Sequence, residues 1–211
     1  KRVNRFYSQS EYLPQLEFNF YKQQLASSKA YFQSDNKVGN LTKKRANSGN
    51  DDDALRFYSN NTLSYSNRVG WLSIEPYVGA KSVFYSKNIF GDSNILRTGF
   101  FSGANLSTKF YRIFKVDFDI FGEKVDMMRH LVTPEINYAY AHEPTVGDEN
   151  IFQFDDIDSL GRGESVSFTL SNKLQFRKPN SEKWDFLYFS PSVNYTINPE
   201  GSSSHFNNVA A

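Results

Sequence analysis

Apolar and polar side chains alternate residue by residue through several long windows of this chain. Between Ser165 and Arg177 the even positions carry Val166, Phe168, Leu170, Asn172, Leu174 and Phe176. The odd positions carry Ser165, Ser167, Thr169, Ser171, Lys173, Gln175 and Arg177. A period of two places successive side chains on opposite faces of a strand, so this window predicts a strand with one apolar and one wet face. Gly70 to Ser82 sets Leu72, Ile74, Pro76, Val78 and Ala80 against Ser73, Glu75, Tyr77, Gly79 and Lys81. Tyr12, Pro14, Leu16, Phe18 and Phe20 oppose Gln15, Glu17, Asn19 and Gln23, and the windows Val132 to Tyr140 and Leu187 to Ile197 repeat the split. Weaker windows at 29–35, 55–66 and 96–111 bring the expected total to about eight strands. None of these windows sustains the three-and-four spacing of an amphipathic helix.

The expected connections alternate in length. Short ones fall near Ala26-Ser27, Asn67-Arg68 and 178–183, long ones at 39–54, 86–95 and 141–162, with a further short turn expected within Phe114 to Val125. Outer-membrane barrels have this asymmetry of short periplasmic turns and long surface loops, whereas a soluble sandwich has no reason to keep the two classes apart. A proline recurs in Pro14-x-Leu16-x-Phe18, Pro76-x-Val78-x-Ala80, Pro134-x-Ile136-x-Tyr138 and Pro191-x-Val193-x-Tyr195. Proline cannot donate to a ladder, so Pro76, Pro134 and Pro191, at nearly even spacing, are expected near the short-turn ends of their strands, where pairing is weak.

Composition narrows the membrane reading. The longest apolar runs are a few residues, well short of the roughly 20 that a transmembrane helix needs. Mean hydropathy is −0.58, yet aromatics make up 17% of the chain, so the apolar content is dispersed rather than gathered into spans. A barrel strand needs only about 10 alternating residues, because one face meets lipid and the other a polar lumen. A net charge of +1 offers nothing to nucleic acid, and the absence of Cys excludes a disulfide framework within the segment. The chain starts at Lys1-Arg2 and stops at Ala211 without a closing strand, so residues 1–211 are expected to be part of a single outer-membrane β-barrel domain.

The expected fold is therefore all-β: an antiparallel transmembrane β-barrel segment of about eight strands from a larger barrel. Glu75, Lys81, Glu135, Asn137, Ser167, Thr169 and Lys173 lie opposite the apolar stripes and are expected to face the lumen. Tyr12, Tyr85, Tyr138, Tyr140, Trp184 and Tyr188 fall towards strand ends, where amphipathic rings form interfacial girdles.

Particular phrases carry a family resemblance. Phe152-Gln153-Phe154-Asp155-Asp156-Ile157-Asp158-Ser159-Leu160, followed by Leu170-x-Asn172-Lys173-Leu174-Gln175-x-Arg177, resembles an acidic loop and strand of the lipopolysaccharide-assembly family LptD. Arg129-His130-Leu131-Val132-Thr133-Pro134, running on to Tyr138 and Tyr140, resembles another of its strands. Leu13-Pro14-Gln15-Leu16 is similar to a third, and Arg97-x-Gly99 falls where the family has a comparable Arg. The resemblance covers most of residues 12–177 and implies transport without catalysis: passage of lipopolysaccharide to the outer leaflet. It also implies a bacterial outer-membrane location, a plug lipoprotein of the LptE type, periplasmic Lpt bridge components and surrounding outer-membrane lipid as partners, and no cofactor. Another outer-membrane barrel, a porin or nutrient channel, would share the alternation but not the ordered phrases.

Charged clusters offer little further chemistry. Asp155, Asp156 and Asp158 are spaced like cation ligands, but the Gly and distal Glu of a calcium loop are missing, so a solvated surface loop is expected. Lys43-Lys44-Arg45 with Asp51-Asp52-Asp53 reads as a mixed-charge loop rather than a phosphate site. His130 and His142 have no nucleophile to serve, so no catalytic or metal residue is expected.

Overall fold

The computed structural model describes residues 8–46, 51–91, 94–179, 183–197 and 206–210. Twelve strands among the described residues form one sheet. They are β1 (Gln9–Gln24), β2 (Ala30–Lys44), β3 (Asp52–Tyr65), β4 (Asn67–Val69), β5 (Leu72–Tyr85), β6 (Ile95–Thr108), β7 (Phe110–Ile120), β8 (Glu123–Ala141), β9 (Gly163–Arg177), β10 (Lys183–Phe189), β11 (Ser192–Thr196) and β12 (Phe206–Ala210). The path across the sheet is β1-β2-β3-β5-β6-β8-β9-β11-β12, and the pairings resolved along it are antiparallel.

The remaining strands are continuations. β4 pairs with β5 beyond Ser66 as β3 does before it; β7 pairs with β8 beyond Lys109, as β6 does before it; β10 and β11 both pair with β9 on either side of 190–191. Eight long staves, as expected, and the short β12 thus make up the sheet. The windows 96–111 and 187–197, each expected as one strand, are divided by these breaks.

The prolines explain where the breaks fall. Pro76 lies in β5 opposite the interruption at Ser66, Pro134 lies beside the interruption at Lys109, and Pro191 occupies its own break. Pro14 sits in the register shift between Tyr12 and Gln15. A residue without an N–H removes one rung, and the ladder is reset around it. Pro76 is near the start of β5, but Pro134 and Pro191 are well inside their staves, which corrects the expectation that all of them mark short-turn ends.

Connections between staves alternate as expected. Spans of 25–29, 70–71, 121–122 and 178–182 alternate with 45–51, 86–94, 142–162 and 197–205. The long loop expected at 39–54 is shorter, because β2 runs to Lys44 and β3 begins at Asp52. Residues 39–44 carry a single apolar side chain, Leu41, among glycine and polar residues and so hide their period, but residues 39–43 pair one for one with β3. At the tightest turn both Phe121 (φ 52) and Gly122 (φ 81) are left-handed, the backbone of a type I′ hairpin.

The chain divides into two compact units. The first holds Lys1–Tyr65, Tyr77–Ser102 and Tyr140–Gly163; the second holds Ser66–Pro76, Gly103–Ala139 and Glu164–Ala211. In the first unit one sheet face is apolar and open: Leu16 and Phe18 are each 70% exposed, and Leu55, Phe57, Leu63 and Val78 are also exposed. A polar row crosses this face. The Asn36 amide donates to Ser34 Oγ (2.9 Å), the Ser59 hydroxyl donates to Asn36 Oδ1 (2.8 Å), and the Asn61 amide donates to Ser59 Oγ (2.9 Å). The opposite face of the same strands carries the core, in which Leu41, Ala54, Val83 and Tyr85 meet Ile151 and Phe154 of the 142–162 loop. Phe101 also lies on that face, over Gly79, where an added Cβ would come within 2.2 Å of its Cζ and 2.5 Å of the Asn61 carbonyl oxygen.

Candidate functional site

The 142–162 loop of the first unit folds back onto the polar face of its own sheet. Two short 3-10 turns, Asp148–Asn150 and Asp156–Asp158, shape it. The second is closed by a capping box: Asp155 Oδ1 accepts from the Ile157 amide (3.0 Å) while Asp158 Oδ2 accepts from the Asp155 amide (3.0 Å). This is what an acid three residues after another acid does at a helical N-terminus, the first side chain satisfying an orphan amide and the second reaching back.

Asp158 is fully buried, and all of its acceptor sites are used. Oδ2 also takes the Phe154 amide (2.6 Å), while Oδ1 takes Arg56 Nη1 (2.8 Å) and the Tyr85 hydroxyl. Arg56, 4% exposed on β3, meanwhile grips Asp155 with both terminal nitrogens, each at 2.7 Å. Parallel guanidinium–carboxylate bonds of this kind are the strong, orienting form of ion pair. Tyr12 of β1 donates to Asp155 Oδ2 at 3.1 Å. Burial alone would raise the Asp155 carboxyl, but the hydrogen bond and charge of Arg56 outweigh it and hold the group below the usual carboxylate range.

A second arginine secures the ends of the loop. Arg97 of β6, fully buried, donates Nη1 to the Asp158 carbonyl (2.6 Å) and Nη2 to the Leu160 carbonyl (2.5 Å) and to the Asp148 carboxylate; its Nε has no partner. Ser10 Oγ donates to the Phe154 carbonyl (2.7 Å) and Lys43 Nζ to that of Gln153 (2.5 Å). Five neighbouring strands, β1, β2, β3, β5 and β6, therefore hold one loop. The solvated loop expected for the acidic triplet is corrected for Asp155 and Asp158; only Asp156 is exposed. The cause is Arg56, whose charge compensates the fully buried Asp158 and the half-buried Asp155 together.

The seven residues expected to face a lumen divide between the units. In the first, Lys81 holds its ammonium 5.8 Å from the centre of the Phe101 ring, on odd positions of β5 with Val83 and Tyr85; Glu75 shares that parity lower in β5, within the second unit. In the second, Glu135, Asn137, Ser167 and Thr169 line one depression of about 350 Å³ together with Asn105 and Ser107. Lys173 pairs with Asp185 at 2.7 Å.

The aromatic residues fare differently. Tyr12 and Tyr85 are not girdle residues, since their hydroxyls are committed to the acidic loop and Tyr85 is fully buried. The shift at Pro14 turns Tyr12 to the face opposite Leu16, which simple alternation from Tyr12 to Phe20 misses. Tyr138 donates to Glu164 (2.8 Å), Tyr140 shares a 2.9 Å contact with His142 Nδ1, and Tyr188 is exposed. Of the basic run, Arg45 pairs with Asp52 of the acidic run, Lys44 with Glu11 of β1, and Lys43 with the Gln153 carbonyl, while Asp53 pairs with Lys87. His130 stands opposite Arg112 in the β7–β8 register. No cluster of three or more His, Cys, Asp or Glu placed to hold a metal occurs among the described residues.

The sequence marked Arg97 through resemblance and the acidic phrase through both resemblance and carboxylate spacing, placed Tyr85 in a girdle rather than at the loop, and gave no sign of Arg56. The spacing of Asp155 and Asp158 was a readable capping signal. Arg56 sits in an ordinary alternating window and carries no such mark.

No individual curated protein matches the chain. A family model does, described as LptD, LPS transport system D, and it matches residues 3–188. That span takes in the acidic loop, both arginines that hold it and the strands on which it rests. An all-β sheet with one apolar and one polar face is the architecture such a transport wall needs, and the chain belongs to the LptD family of lipopolysaccharide transport proteins.

Proposed function

We propose that this chain is a wall sector of an outer-membrane barrel that delivers lipopolysaccharide to the outer leaflet, by passage rather than bond chemistry. The observation that carries this reading is the two-faced sheet of the first unit. Its open face presents Leu16, Phe18, Leu55, Phe57, Leu63 and Val78, while its other face carries charged groups and a docked loop. A sheet in water gains nothing from so many exposed large apolar residues, whereas a bilayer rewards each by roughly 25 cal/mol per Å² removed from water. The polar face is the lumen side, and Glu75, Lys81, Glu135, Asn137, Ser167, Thr169 and Lys173 keep it hydrated for the sugar chain. A plug lipoprotein and periplasmic bridge components act with it, as the family assignment suggests.

Photo-crosslinking in living cells tests the reading. A photoreactive residue at position 137 or 167 is expected to capture lipopolysaccharide, and one at position 57 or 168 only membrane lipid. Equal capture at both pairs, or none at 137 and 167, would remove the lumen assignment. Capture of small solutes alone at 137 and 167 would favour a general channel.

A further inference from the structure

The second unit holds a small site that the transport reading does not use. A depression of about 130 Å³ is lined by Ile113, Met127, Arg129, Gln175, Phe176, Arg177 and Lys183. Its cations are unevenly compensated. Arg177 is held by Asp126 through Nε (3.1 Å) and Nη2 (2.8 Å). Arg129 spends its Nε on the neutral Gln175 Oε1 (2.8 Å), and Lys183 has no ion-pair partner among the described residues. The nearby Asp185 bonds Lys173 (2.7 Å) and Gln175 (2.6 Å) and reaches Arg129 only through space.

Moreover, Lys183 and Arg177 stand directly opposite each other across the β9–β10 ladder. Like charges at such a cross-strand position repel; Asp126 compensates Arg177, which leaves Lys183 as the member of the pair open to an anion. The floor beneath is apolar and fixed. Phe176 is buried and stacks on Phe186 with ring centres 4.6 Å apart, with Trp184 and Phe118 edge-on at 5.6 Å each. The volume is about ten times that needed for one water, room for a phosphate and a few methylenes but not for an oligosaccharide.

We propose that this depression binds a phosphate-bearing amphiphile, its phosphate between Arg129 and Lys183 and its first methylenes on Ile113, Met127 and Phe176. The proposal is independent of what the barrel transports.

Titration calorimetry on the full-length protein, in phosphate-free dodecyl maltoside, tests it with dihexanoyl phosphatidic acid, dihexanoyl phosphatidylcholine and inorganic phosphate. Phosphatidic acid is expected to bind about tenfold or more tightly than either of the others, with the R129Q/K183Q double variant losing about tenfold and K183R retaining binding. Inorganic phosphate binding as well as phosphatidic acid would overturn the amphiphile, and phosphatidylcholine doing so would overturn the anion site. Unchanged affinity in a folded R129Q/K183Q protein, judged by heat-modifiable gel mobility, would overturn the location. Should that double variant fail to fold, K183Q alone decides, because it relieves the repulsion with Arg177; it is expected to weaken phosphatidic acid binding severalfold, and unchanged affinity there overturns the location equally.

Discussion

The two compact units treat the same alternating pattern in opposite ways. In the first, the polar face is sealed: Arg56, Tyr85 and Arg97 point into a loop that returns over them, and each is almost or wholly without solvent. In the second, the corresponding positions are wet. Glu135 is exposed, Asn137, Ser167 and Thr169 border an open depression, and the Lys173–Asp185 pair is 38% and 52% exposed. Polar residues at every second position therefore do not specify a lumen surface. A polar stave becomes either a wet wall or the bed of a folded loop, according to whether a neighbouring connection supplies carboxylates that can neutralise its arginines.

Substitutions should separate the units sharply. Arg56→Ala leaves the Asp158 carboxylate buried without its cation, so urea unfolding in detergent should show a loss of about 3–5 kcal/mol. Protease should then cut within 142–162. Gly79→Ala drives a methyl into Phe101 and the Asn61 carbonyl and should cost about 1–3 kcal/mol by the same measurement. Acid should loosen the loop. Because the Asp155 carboxyl is held below its unfolded value, its contribution is complete above that value, about 3.9, and fades as the pH falls through the lower folded value. Cleavage of 142–162 should accordingly rise below about pH 4 and stay low at neutrality. In the wet unit Lys173→Ala should change stability by no more than about 1 kcal/mol, as exposed pairs do. Asp156→Asn should be the quietest, within about 0.5 kcal/mol, for that carboxylate is the exposed member of the triplet. An Asp156 effect equal to that of Arg56 would dissolve the distinction between sealed and wet faces.

Much of the sheet was legible because a half-buried strand writes its geometry in alternate residues. β9 was readable along 165–177, and the uneven loop lengths followed from turn residues between such windows. Legibility failed where period two carries no contrast. Residues 39–44 offer one apolar side chain, Leu41, among glycine and polar residues, too little contrast to show a period, so only pairing with neighbours makes them strand. It failed again at Pro14, where one extra residue inverts the faces and sends Tyr12 to the loop while Leu16 stays outside. Of the site, the acidic phrase and Arg97 were marked by resemblance. Arg56 and Tyr85 were not, because their roles depend on a loop about 100 residues away in sequence, as the Arg56–Asp158 bond shows.

The row of Ser34, Asn36, Ser59 and Asn61 has a consequence for how such a wall enters a bilayer. Each of these amides and hydroxyls would be costly in hydrocarbon on its own, yet the Ser59 hydroxyl closes on Asn36 only once β2 and β3 lie side by side. A lone strand would carry open polar groups across the membrane; the hairpin carries a closed circuit. The β2–β3 pair is therefore the smallest unit in which the Ser59 hydroxyl and Asn36 satisfy each other, while its outer edges still need β1 and β5 to complete their backbone pairing.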